Sequence, residues 1–194
     1  MLDQDLENLL NKFPNGKQHI ITLPQGRIYL NDAKDNPDKF IDRNDGTLCL
    51  TNSSCNPIEL IVLDRFVATT HSSIEACDFC ISKKDSSDFI VLCELKDIRE
   101  IYLQKSLSKA TSQLIATYSF LKVDHQIQCR FIYASLGIKL KNSNPAIKRQ
   151  FLKFNINTYH KNKAVLKASG FDAVFDSFVI TDEEPFVVKP AKRK

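Results

Sequence analysis

Asp78, Glu94 and Lys96 are the residues best placed by type and spacing to do chemistry. Glu94 and Lys96 end the apolar run FIVLCELK, residues 89–96. In a strand, side chains alternate between faces, so the two charged residues share one face while Val91, Cys93 and Leu95 share the other. Lysine and glutamate are seldom buried without partners, so a charged pair on such a strand requires a reason. Asp78 precedes Phe79 at the start of a second strand-like run, CDFCIS (77–82). If the two runs form a hairpin, Asp78 reaches the end of the sheet that carries Glu94. Two converging carboxylates offer hard oxygen ligands suited to Mg²⁺ or Mn²⁺. A metal held there positions and acidifies a water, and Lys96 beside it can orient or deprotonate that water or stabilise developing negative charge. Hydrolysis of a phosphodiester needs these functions. The plainer alternative is an exposed ion pair on a sheet edge, worth at most about 1 kcal/mol. The apolar density of both strands argues against that exposure.

The elements that must position these groups follow from periodicity. KKDSSD (83–88) has the composition of a hairpin loop. After Lys96, Leu107, Ala110, Leu114, Ile115, Tyr118 and Leu121 fall on one face of a helix, with Ser106 or Ser108 available as its cap. QCRFIYASLG (128–137) reads as a further strand, and PIELIVLDRFVATT (57–70) as helix, strand or one running into the other. Upstream, Leu2, Leu6, Leu9, Leu10 and Phe13 form a helical stripe ended by Pro14-Asn15-Gly16. HIITL and RIYLN read as short strands joined around Pro24-Gln25-Gly26, and residues 31–57 as loop with a short strand at TLCLT. The last third alternates between short helices (around 145–150 and 161–168) and strands (FLKFNINTY and VFDSFVIT). Hairpin, helix, strand in that order predicts an α/β fold with a mixed central β-sheet flanked by helices. We read one domain over 1–194, with an N-terminal helix and strands (1–56), a core (57–137) and an α/β extension (138–194).

Asp78, fifteen intervening residues, Glu94-x-Lys96, and then a helix and strand resemble the PD-(D/E)xK nuclease superfamily of restriction-endonuclease-like and Holliday-junction-resolvase-like enzymes. The resemblance covers about residues 57–137 and implies a restriction-endonuclease-like core. It implies that Asp78 and Glu94 bind the metal, that Lys96 acts at the water or transition state, and that Gln113, on the following helix, lies near the site. It further implies an upstream acidic residue, for which Glu59, Asp64 and Glu75 are all candidates. Cys77 stands where the family has its proline.

Composition narrows the class. With 194 residues, 43% hydrophobic and 26% charged, the chain can bury a sizeable core. No apolar run approaches the roughly 20 residues needed to span a bilayer, so no membrane partner is expected. The acidic, amphipathic start does not read as a signal peptide, which leads to a cytoplasmic expectation. Six cysteines (49, 55, 77, 80, 93 and 129) are then expected as thiols, and Cys77-x-x-Cys80 as small buried hydrophobes pointing to opposite faces of a strand. The net charge of +4, concentrated in the last third, is compatible with nucleic acid. Lys109, one turn before Gln113, is placed to touch a phosphate or simply to face solvent. His71, His125 and His160 lie near no Cys or Asp at ligand spacing, and no phosphate-binding or dinucleotide-binding glycine motif occurs. The reading is a Mg²⁺- or Mn²⁺-dependent nuclease, with DNA rather than RNA as the expected substrate. Because no reader module is recognisable, it is expected as a homodimer or as the nuclease subunit of a defence or repair complex. The alternative is a non-catalytic nucleic-acid-binding or assembly component with the same fold.

Overall fold

The computed structural model describes residues 4–12, 16–31, 40–70, 73–84, 86–140 and 145–187. Leu2, Phe13, the Pro14-Asn15 break, His71 and the closing basic tail of the sequence reading lie outside them. The chain runs α1 (Gln4–Asn11), β1 (Ile20–Thr22), β2 (Gly26–Leu30), β3 (Ile41–Asp42), β4 (Leu48–Asn52), β5 (Ile58–Val62) and α2 (Leu63–Thr70). It continues through β6 (Phe79–Lys83), β7 (Ser86–Ile98), α3 (Leu103–Ser119), β8 (Phe131–Leu140) and α4 (Pro145–Ala168). The last strands are β9 (Ala173–Phe175), β10 (Phe178–Ile180) and β11 (Pro185–Phe186).

These strands build two mixed sheets. The larger has the order β1-β5-β6-β7-β8-β9, and the smaller β11-β10-β4-β2-β3. In the larger, β1, β5, β6 and β7 pair antiparallel, whereas β7, β8 and β9 are parallel. A parallel pair needs a long crossover, and α3 supplies it between β7 and β8. β7 is apolar on both faces because both are covered. Ile90 and Leu92 pack with Leu9 and Leu10 of α1, Phe66 of α2, Leu114 of α3 and Leu166 of α4. Val91, Cys93 and Leu95 pack instead with Ile28, Leu48, Leu50 and Ile180 of the smaller sheet. The fold is therefore mixed α/β as expected, but helices cover one face of the central sheet and a second sheet covers the other. At Gly137 on β8 an added Cβ would lie 2.7 Å from Cβ of Leu48, so the sheets meet there at a distance only glycine allows.

HIITL and RIYLN form strands as expected, β1 in the larger sheet and β2 in the smaller. Four local expectations need correction. VFDSFVIT is not one strand: it divides at Asp176 and Ser177 between β9 and β10, which enter different sheets. The hairpin loop is shorter than KKDSSD, because β7 begins at Ser86 and pairs Lys83 with Ser86. Neither Ser106 nor Ser108 caps α3: a 3-10 turn over Glu100–Tyr102 feeds straight into the helix, with Tyr102 at the cap and no side-chain cap bond. FLKFNINTY is not a strand, since α4 runs unbroken through it. Its aromatic and β-branched residues carry only a weak local preference, which tertiary context overrides. Pro145, at the first helical position, suits a helix start. The helix ends where Gly170 takes φ +103°, with Phe171 N–H donating to Leu166 and Gly170 N–H to Lys167. No helix among the described residues is long and apolar enough to cross a membrane.

Candidate active site

PIELIVLDRFVATT resolves as strand running into helix, and that junction shapes the site. β5 ends at Val62 and α2 begins at Leu63, whose N–H donates to the backbone carbonyl of Asp78 (3.0 Å). Asp64 therefore emerges in the first turn of α2, beside the residue that opens β6. Asp78 is joined to β7 in two places. Its N–H donates to Glu94 Oε2 (3.2 Å), and its Oδ2 accepts the Leu95 N–H (2.6 Å). The hairpin thus brings Asp78 to the end of β7 that carries Glu94 and Lys96, as its register, Phe79 opposite Cys93, requires.

Glu94 is fully buried, and its Oε1 accepts from the Lys96 ammonium. The same ammonium donates to Gln113 Oε1 (3.2 Å), and Gln113 Nε2 donates to the Ala76 carbonyl (3.0 Å). Thr117, one turn further along α3, accepts the Cys77 N–H (2.7 Å) and donates to the Gln113 carbonyl (2.8 Å). This chain of bonds fixes α3 over the segment before β6 and aims Gln113 at Lys96. The exposed ion-pair alternative is excluded for Glu94. Burial, and then the negative charge of Asp78, push its carboxyl up to about 8, and Lys96 only partly offsets them.

Asp64, Asp78, Lys96, Tyr102, Lys105, Ser106, Lys109 and Gln113 line one cleft of about 420 Å³. The four expected residues converge here, with Glu94 buried behind Lys96. Of the three upstream acids, only Asp64 lines the cleft. Glu59 lies in β5 opposite Thr22 and Ser82, and Glu75 is an exposed partner of Lys109 (3.2 Å). Lys109 does share the groove with Gln113. Tyr102, Lys105 and Ser106 were missed, although their spacing to Lys109 and Gln113 is helical and places them opposite the buried Leu103, Leu107 and Leu114.

A divalent ion fits these donors chemically. They are oxygens only, and a buried carboxyl that resists ionisation beside a second carboxylate lacks the positive charge that an ion supplies. No group of three or more His, Cys, Asp or Glu able to hold a metal is assembled among the described residues. Asp78 and Glu94 would leave other positions to water and substrate, as Mg²⁺ ordinarily requires. The cysteines take no part. Cys77 and Cys80 are both buried in the helix-side core, against the expectation of opposite faces, because Cys77 precedes the strand. Burial pushes both thiols up, away from the thiolate that metal binding or redox work needs.

No protein-family model matches the chain, and no curated protein or solved structure matches it.

Proposed function

We propose that the protein is a Mg²⁺- or Mn²⁺-dependent nuclease of the PD-(D/E)xK type, with DNA rather than RNA as the expected substrate. What supports this reading is one observation above the rest: Asp78, Lys96 and Gln113 line one cleft, and hydrogen bonds tie Asp78 and Lys96 to Glu94, buried behind it, and Lys96 to Gln113. Asp78 and Glu94 would hold the metal, with Asp64 facing the same space. A bound ion would supply Lewis acidity to a water and neutralise charge at the scissile phosphate. Lys96 is tethered between Glu94 and Gln113, so its ammonium is held where a water or a phosphoryl oxygen would bind beside the carboxylates. Gln113 positions that lysine and can orient water through its remaining amide hydrogen. Lys105 and Lys109 add positive charge at the cleft wall for the flanking phosphates. The proposal extends to a homodimer or a subunit of a larger defence or repair assembly, which would supply target choice.

The test is cleavage of supercoiled plasmid, linear duplex, single-stranded DNA and RNA by wild type and Glu94→Ala with Mg²⁺, Mn²⁺ or EDTA. Metal-dependent cleavage that disappears in the variant is expected. A folded wild type that cuts nothing and gains no thermal stability from Mn²⁺ would sink the reading in favour of a non-catalytic module.

A further inference from the structure

The cleft continues past the carboxylates. Lys105 and Lys109, one turn apart on α3, also line a second, shallower groove with Ile101, Gln104, Ser108 and Ser112. The two lysines thus form a ridge shared by both depressions, and together these make a track across the first turns of the helix. At its head stand two large side chains that the fold leaves in solvent: Ile101 is 79% exposed and Tyr102 52% exposed. Tyr102 is the aromatic residue among those lining the cleft with Asp64, Asp78 and Lys96. Lys109 forms an exposed pair with Glu75, the kind of contact that contributes little and yields readily to a phosphate.

This combination selects among nucleic acids. Lysines spaced along a groove meet phosphates of any strand. A tyrosine ring beside them gains energy only from the face of a base, and in a duplex every interior base face is covered by its neighbours. Single strands expose those faces, and aromatic rings beside a basic groove bind them with little regard to sequence. We infer that the Ile101–Ser112 track is a binding site for single-stranded nucleic acid, with Tyr102 stacking on an unpaired base beside the scissile phosphate and Lys105 and Lys109 taking the flanking phosphates. Ile101 packs against the sugar or the edge of that base. The serines and Gln104 offer small polar contacts to the backbone rather than a code for base edges, so binding is indifferent to sequence. This deepens the nuclease reading and rests on it only for the fate of the bound strand.

The test is fluorescence anisotropy of short labelled single-stranded DNA, single-stranded RNA and duplex DNA in Ca²⁺, with probe integrity checked on a gel. Either single strand is expected to bind at least ten-fold more tightly than the duplex. Tyr102→Ala should weaken single-strand binding about ten-fold, within the range for loss of one stacked base, while leaving duplex binding within two-fold. Tyr102→Phe, which keeps the stacking face, should stay within two-fold of wild type. The double variant Lys105→Gln/Lys109→Gln should lower the slope of log affinity against log salt by about 1.4. Equal affinity for duplex, no binding of either strand, or a Tyr102→Ala protein that binds like wild type would overturn the track. Parallel Mn²⁺ cleavage separates the two claims. The expected binding pattern without cleavage and without Mn²⁺ stabilisation keeps the track and removes the nuclease; cleavage with Tyr102 irrelevant to binding does the reverse.

Discussion

Two carboxylates, Asp182 and Glu94, show opposite ways of placing a negative charge in this fold. Asp182 follows β10, and its Oδ1 accepts from Ser54 Oγ (2.8 Å), the N–H groups of Cys55 (2.8 Å) and Asn56 (3.1 Å), and Asn56 Nδ2 (2.7 Å). The Ser54 hydroxyl and these other donors hold its carboxyl down at about 2. Glu94 receives one long backbone bond and one lysine, lies fully buried beside a second acid, and has its carboxyl pushed up to about 8. Asp182 is satisfied by the protein, and nothing further is needed for its ionisation. Glu94 is short of positive charge and lies buried behind Lys96, which lines the cleft. The two acids thus separate by donor supply rather than by residue type, which is the pattern expected where one is structural and the other is a candidate for function.

The largest effect that would break this contrast is loss of cleavage. Glu94→Ala and Asp78→Asn should each reduce cleavage beyond the roughly 10–100-fold typical of groups that only support a metal ligand. Both should also abolish the gain in Tm with saturating Mn²⁺, roughly 5–10 °C for about 2.7 kcal/mol at a hundred-fold excess over Kd. Asp182→Asn should keep both properties while melting earlier than wild type. An equal loss of the Mn²⁺ effect in all three would erase the distinction.

Gln113→Ala sharpens it more gently. With the acceptor gone, Lys96 is tethered by Glu94 alone, and kcat should fall about ten-fold with KM little changed. A fall in KM-controlled binding instead would move Gln113 from positioning to substrate contact.

The pH profiles of the metal-free protein separate the two acids by sign. The Glu94 carboxyl titrates near 8 in the folded chain and near 4.5 when unfolded, so between these values the folded state binds the extra proton. Its contribution to stability therefore falls as pH rises from about 4.5 to 8 and is level above, and Glu94→Gln should remove that slope. Asp182 is depressed from 3.8, so its contribution is present above about pH 4 and is lost as pH falls towards 2. The Tm gap between wild type and Asp182→Asn should close over that acid range. Matching slopes for the two variants in thermal melts would contradict the assignment.

Much of the site was readable because it depends on local rules. Alternation in FIVLCELK puts Glu94 and Lys96 on one face, and a short hairpin delivers Asp78 to them. One helical period carries Gln113 and Lys109 to the same cleft. The choice of Asp64 was not readable, because 57–70 is apolar enough for strand or helix and only the turn at Val62–Leu63 decides which acid faces the cleft. The second sheet was also invisible. Its strands were partly seen, but β4 pairs with β10 across more than a hundred residues, and no local pattern encodes that partner. The length of α4 was not readable for a related reason, since the strand-like residues of FLKFNINTY carry only a weak local preference and tertiary context decides.

The chain passes from β9 in the larger sheet to β10 in the smaller through Asp176 and Ser177 alone. That crossing has a consequence for synthesis. While a ribosome is still making α4, strands β5 to β8 of the candidate site are complete, and so are the three strands β3-β2-β4 of the smaller sheet. Neither sheet yet has its last parallel strand, and the Asp182 clasp on Ser54 to Asn56 is missing. Residues 173–187 complete both edges in one stretch, so the apolar layer between the sheets is sealed late, and a ribosome pausing before codon 173 would leave it open to chaperones or aggregation.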